Sequence, residues 1–342
     1  MKETRPFRSE NPAEAPRPGA SWKSSLLTWS GALAAAALIV VPLWMLLGNP
    51  AVLGGHPALP TLLVTALAAG ILWALSLIRH RELTKEPQPR TYRRRGDAST
   101  WRLVRGIAGR LTVLGIMAAL LWLNPFPHQP EPGQALPATA TTSSTEDATS
   151  ITLAPAGTAA TGLVFYPGAR VDAHAYQDLL QPLAAAGHLV IILKAPLGVS
   201  LLDTNQARAA MNRHPEIGSW AVGGHSLGGV SAAAFAASNP DVAGLLLFAS
   251  YPAANMADAP NLSVLSISGS NDGLSTPDKI SASRALLPPT TTFATVQGGV
   301  HAFFGDYGEQ PGDGEPGTTR EQAQQQIVAE SLRFMDRLRT SG

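Results

Sequence analysis

Two runs without a charged side chain, Leu26–Leu47 (22 residues) and Leu59–Ile78 (20 residues), constrain this chain more than any other feature. A hydrocarbon core about 30 Å thick is crossed by roughly 20 apolar helical residues, so each run is long enough to span. Gly31, Pro42 and Gly70 would weaken a helix in water but are tolerated in lipid, where backbone groups must bond within the segment. A third stretch, Ile107–Leu123, has 17 residues and a single charge, Arg110, near its start. That arginine can snorkel to the interface. Trp22, Trp44, Trp73, Trp101 and Trp122 fall near the ends of the three stretches, as interfacial aromatics do. Buried helices of a water-soluble core have shorter apolar runs, and a cleaved signal peptide would not be followed by further spans. The sequence therefore predicts three transmembrane helices, with the lipid bilayer as the first partner.

Charge follows the same division. The net charge of +1 over 342 residues is a cancellation: residues 1–110 carry 15 Lys/Arg against 6 Asp/Glu, and residues 111–342 carry 10 against 18. Before the first span stand Lys2, Arg5, Arg8, Arg17 and Lys23. Gly48–Ala58, between the first two spans, has no Lys or Arg, and residues 79–105 carry nine, from Arg79 to Arg105. The positive-inside rule then places the tail 1–25 and the second loop in the cytoplasm and everything after Leu123 outside. The run Arg93–Arg95 beside a membrane is a topology and anionic-lipid signal, and nucleic acid is not an expected partner. The chain has no cysteine, which excludes a disulfide framework, a thiolate metal site and a cysteine nucleophile.

Residues 124–150 are rich in proline, threonine, serine and alanine, and predict an extended linker between the anchor (26–123) and the remainder (151–342). From Ile151 the pattern alternates. Gly162–Tyr166, Leu189–Leu193, Ser219–Val222, Leu245–Ala249, Val264–Ser268 and Thr292–Val296 are short apolar runs, as expected of strands covered on both faces. Between them lie helical candidates Ala173–Ala186, Leu201–Arg213, Leu227–Ser238 and Asp278–Leu287, and Arg320–Arg339 closes the chain. This alternation predicts an α/β domain with a doubly wound, mostly parallel sheet. Ligands bind such sheets at the carboxyl ends of the strands.

The loops at those ends carry the chemistry. Gly224-His225-Ser226-Leu227-Gly228 follows the third strand and fits the strand–turn–helix elbow that exposes a nucleophilic serine. Asp272, in Ser268–Gly273, and His301, in Gly298–His301, follow two later strands on the same edge. A serine hydroxyl needs an imidazole to take its proton, and the imidazole needs a carboxylate to fix its tautomer. Asp258 and Asp278 are rival carboxylates, but neither follows a strand end so directly. An oxyanion requires two backbone N–H groups. Leu227 should supply one, and Ala169, in the Tyr166–Arg170 loop, the other, with Gly168 or Arg170 as alternatives. His225 and His174 are expected to pack or cap, Lys194 to be structural, and the loop Phe303–Gly317, with Asp306, Asp313 and Glu315, to be solvated. Only 14 residues (Ser250–Ser263) separate two strands where a lid would be inserted, so no large lid is expected.

The segments Phe165–Asp172, Gly224–Gly229, Ser268–Gly273 and His301–Gly308 resemble the α/β-hydrolase fold-5 group, near the dienelactone-hydrolase-like serine hydrolases. The resemblance covers Val164–Gly342 and implies the α/β-hydrolase fold. Two departures stand out: Ser226 replaces the cysteine of dienelactone hydrolases proper, and Val300 stands where the group has an asparagine. The expectation is a membrane-anchored serine hydrolase with Ser226, His301 and Asp272 as its triad, needing no metal or organic cofactor. It would act outside the cytoplasm on a small ester-like or envelope-derived substrate. Acyl transfer to an envelope acceptor and a non-catalytic binding module are the competing expectations.

Overall fold

The computed structural model describes residues 22–83, 100–130 and 142–341. The basic residues of the tail up to Arg17, and those of the second loop from Lys85 to Arg95, lie outside the described residues.

Three helices are long and apolar enough to cross a membrane: α1 (Trp22–Gly48), α3 (Ala58–Leu83) and α4 (Thr100–Trp122). A five-residue helix, α2 (Pro50–Gly54), closes the turn between α1 and α3. Asn49 caps it, accepting the Ala51 N–H, and Pro50 sits at the first helical position, where a missing N–H costs nothing. The chain divides into two compact units, residues 1–38 with 69–117 and residues 39–68 with 118–342. In the first, Arg110 turns back toward the N-terminal end of α4. Its Nη1 donates to the Gly106 carbonyl at 2.5 Å, and its guanidinium lies against Gly31.

The second unit holds an eight-stranded sheet in the order β1-β2-β4-β3-β5-β6-β7-β8. Strands β3 (Thr161–Tyr166), β4 (Leu189–Leu193), β5 (Ser219–His225), β6 (Val242–Phe248), β7 (Ser263–Gly269) and β8 (Thr292–Val296) are parallel, as expected. Alternation along β3 and β6 divides the core in two. Leu163, Phe165, Leu246 and Phe248 face α5 (Gln177–Ala185) and α9 (Arg320–Ser341), while Val164, Tyr166, Leu245 and Leu247 face α6 (Gln206–Asn212) and α7 (Leu227–Ser238). Each such side chain contributes about 1.5–3 kcal/mol by leaving water.

Both described ends of the expected linker 124–150 are structured, and its middle, 131–141, lies outside the described residues. Phe126 forms a bridge with Val171, and Thr142–Glu146 is an antiparallel edge strand, β1, paired to β2 (Ser150–Pro155). Strand β1 has no apolar residue to announce it. Tertiary partners fasten it: Glu146 pairs with Lys194 at 2.5 Å and with His174 at 3.2 Å. Residues 250–262, between β6 and β7, form turns without a helix, and α8 (Pro277–Ser283) follows β7. The architecture is an α/β-hydrolase fold without a large lid, preceded by the three apolar helices.

Candidate active site

Ser226 occupies the step from β5 into α7 with φ 53° and ψ −123°, a left-handed backbone that a non-glycine residue holds only under constraint. The constraint is visible. Ser226 N–H donates to Phe248 O at 3.0 Å, and Ser250 Oγ donates to Ser226 O at 2.6 Å. The flanking glycines make the turn sterically feasible. A Cβ at Gly224 would collide with the Gly228 backbone, and one at Gly228 with the carbonyls of Tyr166 and Pro167. The elbow thus brings the start of α7 against the loop after β3, where the expected oxyanion donors lie.

The structure joins Asp272 to His301. His301 Nδ1 is 2.8 Å from Asp272 Oδ2, both side chains fully buried. The other carboxylate oxygen, Oδ1, accepts N–H groups from Leu274 at 2.8 Å and Ser275 at 2.7 Å. With both Asp272 oxygens acting as acceptors, His301 Nδ1 is the donor of the pair. His301 Nε2 is buried without a hydrogen-bond partner among the described residues. Ser226 Oγ makes no hydrogen bond among the described residues. The rivals Asp258 and Asp278 are exposed, the latter in the first turn of α8.

Backbone hydrogen bonding distinguishes the three candidates for the second oxyanion donor. Gly168 N–H is committed to Tyr176 Oη at 2.9 Å, and Arg170 N–H to Gly198 O at 2.7 Å. Ala169 N–H has no partner among the described residues, and neither does Leu227 N–H. Both residues, like Ser226, are partly exposed. Tyr176 Oη, having accepted from Gly168, donates to His225 Nδ1 at 2.9 Å. His225 is therefore neutral. Burial holds its pKa well below the ordinary 6.5, and the neighbouring His301 pushes the same way. Its ring lies 4.5 Å from the His301 ring and stacks on Phe304 at 6.0 Å, which carries out the expected packing role.

The glycine-rich acidic loop is solvated as expected only in its second half, where Glu309, Pro311, Gly312 and Glu315 are exposed, and Asp313 within that half is engaged. Asp313 Oδ1 accepts N–H groups from His301 (3.0 Å), Gly273 (3.2 Å) and Gly314 (2.8 Å), and its Oδ2 accepts Ala302 N–H at 2.8 Å. One carboxylate thereby ties the Asp272 loop to the His301 loop. Its acceptor sites are taken up by N–H groups, so it is not free for a cation. Asp306 is buried, accepts from Gln324 Nε2 at 2.8 Å and lies 4.0 Å from Arg320 Nη1. His128, Asp178 and Asp306 bring one ligand atom each within 4.8 Å of one another, but Arg320 and Gln324 already engage Asp306 there. Arg320 Nη1 also donates to Ala302 O at 3.0 Å, fixing the turn that begins with His301. Neither Asp313 nor Tyr176 carries a local motif. Their partners are distant in sequence, and only the fold brings them to the site.

Residues 162–326 match the model of the alpha/beta hydrolase family. No curated protein matches the chain. The matched segment begins in β3, ahead of the loop with Ala169, and ends in α9, beyond the loop anchored by Asp313. A strained serine between β5 and α7, and a buried Asp–His pair after β7 and β8, stand at the strand ends where this fold holds its reactive groups. Over residues 162–326, just under half of its length, the chain is similar to the alpha/beta hydrolase family, whose fold it shares.

Proposed function

We propose that this protein is a membrane-anchored serine hydrolase that cleaves carboxylic-ester-type bonds through an acyl-enzyme. The observation that carries the reading is the buried pair His301–Asp272 at 2.8 Å, with His301 Nε2 free of a competing partner among the described residues. In the mechanism this supports, Nε2 takes the Ser226 proton as Oγ attacks the carbonyl carbon. Asp272 holds the tautomer and stabilises the imidazolium. The Leu227 and Ala169 N–H groups, both uncommitted, receive the developing oxyanion. The tetrahedral intermediate collapses, His301 returns the proton to the leaving alcohol, and water activated by the same Nε2 releases the acid.

Burial of His301 and of the His225 ring beside it keeps this chemistry in a low-dielectric setting. A fixed N–H dipole is worth more there than in water. A fluorophosphonate probe tests the reading: it should label the full chain and fail to label Ser226→Ala. Absence of labelling on the folded wild-type protein would sink the triad assignment.

One observation also supports the catalytic domain standing on the same side of the membrane as the α1–α3 turn. Asn49 Nδ2, in that turn, donates to Asn124 Oδ1 at 3.0 Å and to Pro125 O at 2.8 Å, just beyond α4. If α1 leads outward and α3 returns, α4 must cross for this contact to form. The charge bias of the loops then makes that side extracytoplasmic.

A further inference from the structure

The mouth of the site is continuous with the outer ends of the spans. Arg170, next to Ala169, places its guanidinium 4.7 Å from the Trp122 ring and 4.9 Å from the Phe126 ring. Its backbone is stitched to the same segment: Phe126 N–H donates to Arg170 O at 2.6 Å, and Asp172 N–H to Phe126 O at 3.0 Å. Trp122 is the last residue of α4 and is 59% exposed. An oxyanion donor thus lies within a side-chain's reach of the point where a membrane span ends.

A second feature marks the same rim. In the catalytic domain, among the described residues, the large hydrophobic side chains classed as exposed are Leu201 (47%) and Leu202 (60%). They occupy the turn Ser200–Leu202 after β4. Ser200 Oγ, 2.8 Å from Ser231 Oγ in α7, fixes that turn against the helix that begins beside Ser226. Gly198 O, just before it, accepts the Arg170 N–H. Two adjacent leucines thus stand exposed on the turn that Ser200 fixes against α7, the helix that starts at Leu227. At the level of lipid headgroups they would be buried. Leu53, in the outer turn α2, is likewise 63% exposed.

We propose that the site takes an ester carried by an amphiphile resident in the outer leaflet, which reaches Ser226 past Leu201 and Leu202 without leaving the bilayer. The proposal rests on the serine-hydrolase reading and on membrane anchoring, and names the substrate class of that same site. The bond cleaved is the one already described: acyl to Ser226 Oγ, then to water, with the alcohol released.

The full chain reconstituted in phosphatidylcholine vesicles tests it with two esters, p-nitrophenyl palmitate held in the vesicles and p-nitrophenyl butyrate in solution. The double variant Leu201→Ser/Leu202→Ser should lower the ratio of embedded to soluble turnover about tenfold or more, the scale set by burying leucine side chains. An equal fall for both esters overturns the proposal. So does hydrolysis of butyrate by the wild-type chain with the palmitate untouched. If neither ester is cleaved and the fluorophosphonate leaves Ser226 unlabelled, the hydrolase reading itself falls, and this one with it. A second readout does not depend on turnover. Because the chain has no cysteine, Leu201→Cys can carry the sole thiol-linked fluorophore. Nitroxide-labelled phosphatidylcholine should quench it, and an unquenched label overturns the proposal.

Discussion

Asp313 accepts the backbone N–H of His301 at 3.0 Å while its other oxygen holds Ala302, so the histidine of the buried pair is positioned by a carboxylate twelve residues downstream. Asp313→Ala strips four N–H groups of their acceptor, three of them part-buried and the Gly273 N–H exposed, so the loss per donor falls toward the low end of the roughly 1–3 kcal/mol that a fully buried donor costs. A displacement of the imidazole by an ångström costs about 10²-fold in rate. We expect kcat on a soluble ester to fall by that order with KM little changed, and Asp313→Asn, which keeps one acceptor, to recover part of it. Equal changes in kcat and KM would point to a merely structural role.

Asp272→Asn preserves shape but offers an amide to His301 Nδ1, favouring the wrong tautomer. A loss of about 10³–10⁴ in kcat is expected, as for such substitutions generally. Steady-state kinetics on a soluble ester checks it. Retention of more than a tenth of the activity would remove Asp272 from the role proposed.

Tyr176→Phe removes the hydroxyl that accepts Gly168 N–H and donates to His225 Nδ1. Two buried polar groups lose their partner, at about 1–3 kcal/mol each. The loop bearing Ala169 loses its anchor. Thermal melts should show the destabilisation, and the kinetics a fall in kcat beyond what the melt explains.

Histidine titration gives stability two opposed limbs. Burial lowers the pKa of His188 from 6.5, and that of His225 more strongly. Both are neutral when folded and take a proton on unfolding, so their contribution is present above 6.5 and is lost as pH falls below it. The hydrogen bond to Asp172 raises the pKa of His174, so its contribution is present below 6.5 and is lost as pH rises through the raised value. Melting temperatures measured across roughly pH 5 to 8 should fall at the acid end, where each neutral histidine costs up to about 1.4 kcal/mol per pH unit. His188→Asn should flatten the acid limb, and His174→Asn the upper one.

The proposed topology predicts that protease added to intact cells degrades the catalytic domain. Protection would mean that α4 does not cross.

Six of the eight strands and the elbow were legible in the sequence: β3 to β7 because burial on both faces leaves short apolar runs, and the half-exposed edge strand β8 because Phe293, Ala294 and Val296 still form one. Helix α7 was legible to the residue. Strand β1 (TSSTE) was not, since it is an exposed edge whose stability comes from Lys194 and His174, both distant in sequence. The loop holding Asp313 was misread in part, for a related reason. Glycine and acid together suggest solvation, but here the glycines allow close approach, with no room for a Cβ at Gly314 against Asn271 O. Asp272 and His301 could be chosen from strand ends alone. Ala169 was already preferred in the sequence, but the engagement of the Gly168 and Arg170 N–H groups elsewhere is a matter of hydrogen-bond partners that only the fold supplies.

Three residues separate Trp122, where α4 ends, from Phe126, which bridges to Val171. So short a tether allows the catalytic domain neither to swing away nor to search the surrounding fluid. Encounter with a leaflet-borne ester becomes diffusion in two dimensions. The quantity that saturates the enzyme is then the ester's mole fraction in the surface, and diluting vesicles at fixed composition should leave the rate per enzyme where it was.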